Sequence, residues 1–179
     1  MQKKCFASLA AVCALMPFTV AAQGGYAGLG IGYGSYDNED FFTANNELHD
    51  DRSTWQINAG MRLSPWFGFE GSYVDFGEAD GDGGFLDANG FGAAAALHMP
   101  VHDVTTLSVR VGHLWWDASG TAVAPINDFH FDEDGSDPFY GVGIHVGNEQ
   151  GLGAGLRYDW YELDETDIEV ASINLIYGF

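Results

Sequence analysis

Apolar and more polar residues alternate with a period of two along the last stretch of this chain, and the same rhythm returns in run after run before it. Ala171, Ile173, Leu175, Tyr177 and Phe179 fall on one face of a strand; Ser172, Asn174, Ile176 and Gly178 fall on the other. Side chains two residues apart share a face of a strand, so this pattern describes a strand between two different environments. A terminal strand also needs partners for its backbone groups. A closed barrel supplies one on each side and leaves no edge.

Eight such runs can be read: Tyr26–Tyr36, Thr54–Leu63, Trp66–Phe76, Gly90–Met99, Thr105–Trp116, Pro138–Val146, Leu152–Tyr161 and Ile168–Phe179. Most are close to the ~9–11 residues that a tilted strand needs to cross a bilayer. The connections after the second, fourth and sixth runs are short: Ser64-Pro65, Pro100–Val104 and Gly147–Gly151. Those after the first, third and fifth are long: Asp37–Ser53, Gly77–Asn89 and Asp117–Asp137; Glu162–Asp167 is intermediate. Short turns at one end and long loops at the other are the plan of a transmembrane β-barrel. The acids segregate likewise, since Asp103 and Glu149 are the ones in the short turns and nearly all others lie in or beside the long loops.

The faces support that plan. Trp55, Ile57, Ala59, Met61 and Leu63 oppose Gln56, Asn58, Gly60 and Arg62. Phe67, Phe69 and Tyr73 oppose Glu70 and Ser72; Leu152, Ala154, Leu156, Tyr158 and Trp160 oppose Gly153, Gly155, Arg157 and Asp159. Apolar outward and polar inward is the membrane arrangement, whereas a soluble binding barrel needs an apolar interior. Tyr26, Trp55, Tyr73, Trp115, Tyr158, Trp160, Tyr177 and Phe179 sit near run ends, where aromatic girdles belong. The fold expected is all-β: an eight-stranded antiparallel up-and-down transmembrane β-barrel.

The first 22 residues read as a cleaved signal peptide: Lys3 and Lys4, then an apolar stretch from Phe6 to Val20, then Ala21-Ala22. The barrel domain is then 23–179, outside the inner membrane. Cys5 and Cys13 both fall within the leader, so no disulfide is expected in the barrel. Past the leader the basic residues are Arg52, Arg62, Arg110 and Arg157, against 26 acids. That balance excludes nucleic acid as a partner. Aromatics at 15% of the chain exclude an acidic disordered segment.

The terminal strand ending in Leu175, Tyr177 and Phe179, together with Phe69-Glu70-Gly71-Ser72-Tyr73 and Phe139-Tyr140-Gly141-Val142-Gly143, resembles the OmpA-like outer-membrane β-barrels, close in size to the OmpX and Ail type. The resemblance implies a bacterial outer-membrane location with the long loops extracellular. It implies outer-membrane lipid and lipopolysaccharide as surroundings. It also implies that periplasmic chaperones and the barrel-assembly machinery act on the chain, the latter reading Leu175, Tyr177 and Phe179. OmpA itself carries a peptidoglycan-binding domain after its barrel; here the sequence reaches Phe179 with the barrel, and direct wall anchoring is not expected.

Arg62, Glu70, Arg110, Arg157 and Asp159 are the ionic residues on inward faces, and an ion network in the lumen is expected among them. Unpaired buried charge is costly, so Glu70 should pair with one or more arginines. Such a network serves either as a plug or as a gate, and similarity to the OmpA barrel makes a small gated ion pore the alternative function. Asp80, Asp82, Asp132 and Asp134 lie in loops that superficially resemble calcium loops, but neither loop fits the EF-hand register. They are candidates for weak divalent-cation contact; no resident metal or cofactor is expected. His98 and His145 should point inward, and His113 outward near Trp115. Lipid A modification needs a nucleophile or base set at the membrane rim, and no serine can be placed beside His113. The function expected is therefore non-enzymatic: envelope integrity, adhesion or binding of a host surface ligand through acidic loops.

Overall fold

In the computed structural model, residues 24–37, 51–81, 84–122, 129–163 and 166–179 are described; the segment read as a signal peptide and most of the first long loop lie outside them. The strands are β1 (Gly24–Asp37), β2 (Asp51–Arg62), β3 (Phe67–Gly81), β4 (Gly84–His102), β5 (Thr105–Ala122), β6 (Phe129–Gly147), β7 (Gly151–Leu163) and β8 (Thr166–Gly178). Each pairs antiparallel with its neighbours in chain order, and β8 pairs with β1 to close the barrel. At the seam Gly25 and Phe179 exchange backbone hydrogen bonds of 2.9 and 2.8 Å. The terminal strand is thereby paired on both sides.

The alternation sorts the two faces of the wall. Ile31 and Ile173 are 67% and 63% exposed on the outside, while Asn174 and Asp159, on the inner face, are fully buried. Leu175, Tyr177 and Phe179 all point outward. Outward rings form a ladder across three strands: Trp55 and Tyr73 lie 5.3 Å apart, and Tyr73 and Phe91 4.9 Å apart. Tyr158 and Trp160 add a second pair at 4.6 Å. Amphipathic rings at this level suit the boundary between acyl chains and water.

Two expectations are corrected. First, Gly77–Asn89 and Asp117–Asp137 are largely strand rather than loop. β3 pairs with β4 out to Gly81↔Gly84, β4 with β5 out to Gly84↔Ala122, and β5 with β6 out to Ala122↔Phe129. The β2–β3 ladder stops at Trp55↔Asp75 and the β6–β7 ladder at Phe139↔Tyr161. Four strands thus rise past the rest of the wall as a sheet. Outside the bilayer no apolar face is required, so the alternation vanishes from the sequence while the backbone ladder continues. At the base of this sheet Gly77 adopts φ +80° at a register shift in β3, and its N–H donates to Asp75 Oδ1 at 3.0 Å. Trp116 Nε1 donates to Asp137 Oδ2 at 2.7 Å, tying β5 to β6.

Second, the interior is not polar throughout. Val74, Phe76, Leu114, Phe139, Tyr161, Ile168 and Val170 form a buried apolar cluster. It lies toward the extracellular end, above the charged residues. Tyr161 stacks on Phe139 at 5.3 Å and meets Phe76 edge-on at 5.0 Å. The lumen is therefore built in storeys, with an apolar upper one. In an eight-stranded barrel side chains just fill the interior, and apolar packing does so without unsatisfied groups.

Candidate functional site in the lumen

Glu70 on β3 is the centre of the storey below. Its Oε1 accepts from Arg110 Nη1 on β5 at 3.1 Å and from Arg157 Nη2 on β7. Its Oε2 accepts from the Tyr26 hydroxyl on β1 at 2.8 Å. Arg110 Nη2 donates to Asp159 Oδ1 at 2.6 Å. Two carboxylates and two guanidinium groups make a neutral set, and all four side chains are at most 7% exposed. Burial removes water from these groups, so each must find its partner inside the protein.

The reach across the lumen depends on what stands between the partners. Tyr26, Gly60 and Glu70 lie on one row across β1, β2 and β3. Arg110, Gly141 and Asp159 lie on another across β5, β6 and β7. A Cβ at Gly60 would overlap the Tyr26 ring, and a Cβ at Gly141 would overlap Asp159 Oδ1. Between β3 and β5, Glu70 is paired with Ala94 and Arg110 with Ala96. At these rows odd-numbered strands supply the charged groups and Tyr26, and β2, β4 and β6 supply small residues for them to cross. The layer braces β1, β3, β5 and β7 to one another.

Amides and a hydroxyl extend the layer. Gln56 Nε2 donates to Ser172 Oγ at 2.8 Å and to Asn174 Oδ1 at 3.2 Å; Asn174 Nδ2 donates to Ser172 Oγ at 2.9 Å. With the Asn58 amide turned so that its nitrogen donates to the Gly28 carbonyl (3.0 Å), its oxygen accepts from Arg157 Nη1 at 2.9 Å. Both contacts are closer than the 3.3 Å that the opposite orientation offers to Glu70 Oε2.

Four of the five expected ionic residues come together: Glu70, Arg110, Arg157 and Asp159. Arg62 does not join them. It faces Glu149 in a short turn, Nη1 to Oε1 3.5 Å, with its side chain 19% exposed. The reason is height. Gly60, not Arg62, is the register partner of Glu70, and two residues along a strand displace a side chain by about 7 Å. Tyr26, expected among the girdle aromatics, instead points inward and donates to Glu70. Its parity carries that signal, because it shares a face with Gly28 and Gly30 rather than with Leu29 and Ile31.

His98 and His145 do line the lumen, and His113 lies outside, 5.4 Å from Trp115 edge-on. Asp132 and Asp134 are exposed on β6. Asp80 is in β3, and Asp82 lies outside the described residues. Among the described residues no group of three or more His, Cys, Asp or Glu side chains is placed to hold a metal ion. Below the ionic layer a cavity of about 140 Å³ opens at the short-turn end, with Glu70, Arg110 and Arg157 among its walls.

Several solved outer-membrane barrels share this architecture. The attachment invasion locus protein Ail of Yersinia pestis, crystallised with the heparin analogue sucrose octasulfate, is 11% identical with a TM-score of 0.63, over 87% of this chain and 99% of that one. Neisserial surface protein A is 12% identical with a TM-score of 0.65, over 87% and 97%. OprG of Pseudomonas aeruginosa is 10% identical with a TM-score of 0.58, over 88% and 97%. At these identities the likeness is one of fold. No curated protein sequence matches the chain. Residues 5–179 match the family described as the outer membrane protein beta-barrel domain. With its closed eight-stranded wall, outward apolar face and neutral ionic interior, the chain belongs to that family and to the bacterial outer membrane.

Proposed function

We propose that this protein is a non-enzymatic surface-interaction barrel, a plugged scaffold that carries an acidic β-sheet out of the membrane to meet cationic partners. The observation that carries this reading is the outer edge of β6. Over residues 129–138 that edge has no strand partner among the described residues, and Asp132, Glu133 and Asp134 on it are exposed. An unpaired edge is a template for an added strand. Carboxylates along it favour an extended basic segment and repel anions. The Ail crystal holds a polysulfated sugar analogue; a ligand of that charge would be disfavoured here. The plugged interior supports the scaffold role, because the apolar storey lies over the ionic layer.

The test is binding of the refolded barrel to an immobilised extended lysine-rich peptide and to heparin. The expected result is salt-sensitive peptide binding, no heparin binding, and a tenfold or greater loss in Asp132→Asn/Glu133→Gln/Asp134→Asn. Equal binding by the variant, or capture by heparin, would remove the reading. A gated pore is the competing reading, favoured by the sharing of Glu70 between two arginines. Discrete single-channel openings altered by Glu70→Ala would establish it. The outward terminal strand with Leu175, Tyr177 and Phe179 is proposed as the segment read during assembly.

A further inference from the structure

Within the ionic layer Arg110 and Arg157 are matched by Glu70 and Asp159, and nearer the periplasmic mouth Arg62 meets Glu149; what stays unmatched at that mouth is hydrogen bonding rather than charge. The cavity there is lined by Arg62, Arg110 and Arg157, three of the four arginines that follow residue 24, and by His98 and His145. Two acids line it. Glu70 is already engaged by Tyr26, Arg110 and Arg157. Glu149 belongs to the turn, its side chain 83% exposed, and touches Arg62 at 3.5 Å. Against these, Arg62 Nε, His98 Nε2 and His145 Nε2 are buried with no hydrogen-bond partner among the described residues. His98 is itself only 6% exposed. Arg62 lies within electrostatic reach of both rings.

What this end of the lumen lacks is a partner for these nitrogens: Arg62 Nε is a donor, and each imidazole can present a donor at Nε2 in one of its two tautomers. Buried nitrogens without partners are costly, and natural structures rarely keep several in one place. Two imidazoles without a third ligand do not make a metal centre among the described residues. The cavity's volume is roughly four to five times the ~30 Å³ that a water occupies in the liquid, enough for a small anion with accompanying water. Glu149 competes for the same guanidinium from an exposed side chain and can be displaced.

We propose that the periplasmic mouth of the barrel is a binding site for a small oxyanion of phosphate-like chemistry, held by Arg62, His98 and His145. Free phosphate and the phosphate of an inner-leaflet lipid headgroup share that chemistry.

The experiment uses the whole barrel, labelled with ¹⁵N-histidine, in a maltoside detergent that contains no phosphate. Inorganic phosphate is titrated at constant pH, with chloride holding the ionic strength. The ring signals of His98 and His145 should shift together and saturate, while those of outward His113 stay still. Arg62→Gln should weaken binding about tenfold or more, and Arg62→Lys should recover part of it. Glu149→Gln, in an exposed turn where folding is not at stake, should tighten binding several-fold by removing the competitor. Absence of a shift, a response that chloride reproduces, or unchanged affinity in both Arg62→Gln and Glu149→Gln would overturn the proposal. In phosphatidylcholine nanodiscs without added phosphate, ring signals already at the bound position assign the headgroup as the source. Signals at the free position that move with phosphate assign the free ion.

Discussion

Carboxylates occupy two regions of this barrel under opposite rules. In the lumen, Glu70 and Asp159 meet Arg110 and Arg157 in equal number, and every member is buried. On the projecting sheet, Asp117, Asp132, Glu133 and Asp134 stand exposed, and Asp117 is paired across the ladder with Asp134. Like charges opposite one another destabilise a sheet by only a fraction of a kcal/mol in water. The same mismatch inside the barrel would leave a desolvated charge unpaired, at several kcal/mol. The strongly acidic balance of the chain can therefore accumulate outside the membrane and nowhere else.

The sharpest way to break this contrast is Glu70→Ala. It leaves the buried Arg157 guanidinium without a carboxylate and Arg110 with Asp159 alone, and should cost about 3–5 kcal/mol, read as a lower urea midpoint for unfolding in lipid vesicles. A loss under 1 kcal/mol would mean that water reaches the layer. Tyr26→Phe removes one hydrogen bond to a buried carboxylate and should cost about 1.5–3 kcal/mol by the same measurement. Gly141→Ala leaves every charge in place but drives a methyl group into Asp159 Oδ1; about 1–3 kcal/mol is expected. If Gly141→Ala is neutral, the small residues of the even strands are not what lets the ion pairs meet. At the other extreme, Asp132→Asn with Asp134→Asn should change stability by no more than ~0.5 kcal/mol while altering peptide binding. A large destabilisation there would show that the projecting sheet is coupled to the wall.

Much of this was legible in the residues. The eight runs match the eight strands, and lipid-facing and lumen-facing positions were separable by parity in β2, β3, β7 and β8. Glu70 could be expected to meet arginines because nothing else inward could match its charge. The sheet beyond the membrane was not legible. Glu78-Ala79-Asp80-Gly81 and Asp132-Glu133-Asp134-Gly135 read as loops by composition, and the ladder that holds them belongs to neighbouring strands. The apolar upper storey was hidden for a related reason: Val74, Leu114, Phe139 and Val170 are inward on four different strands, and their contact exists only across the lumen.

Sequence alone determined the strand count, the antiparallel order, and which side of the wall most residues face, because period-two alternation and short turns are properties of each local segment. Tertiary structure decided which inward groups meet. That depends on the stagger between strands and on the size of the residue in between. Stagger set Arg62 about two residues too low to reach Glu70, and small residues at Gly60 and Gly141 let Tyr26 reach Glu70 and Arg110 reach Asp159. No single strand carries that information, since each contact spans three.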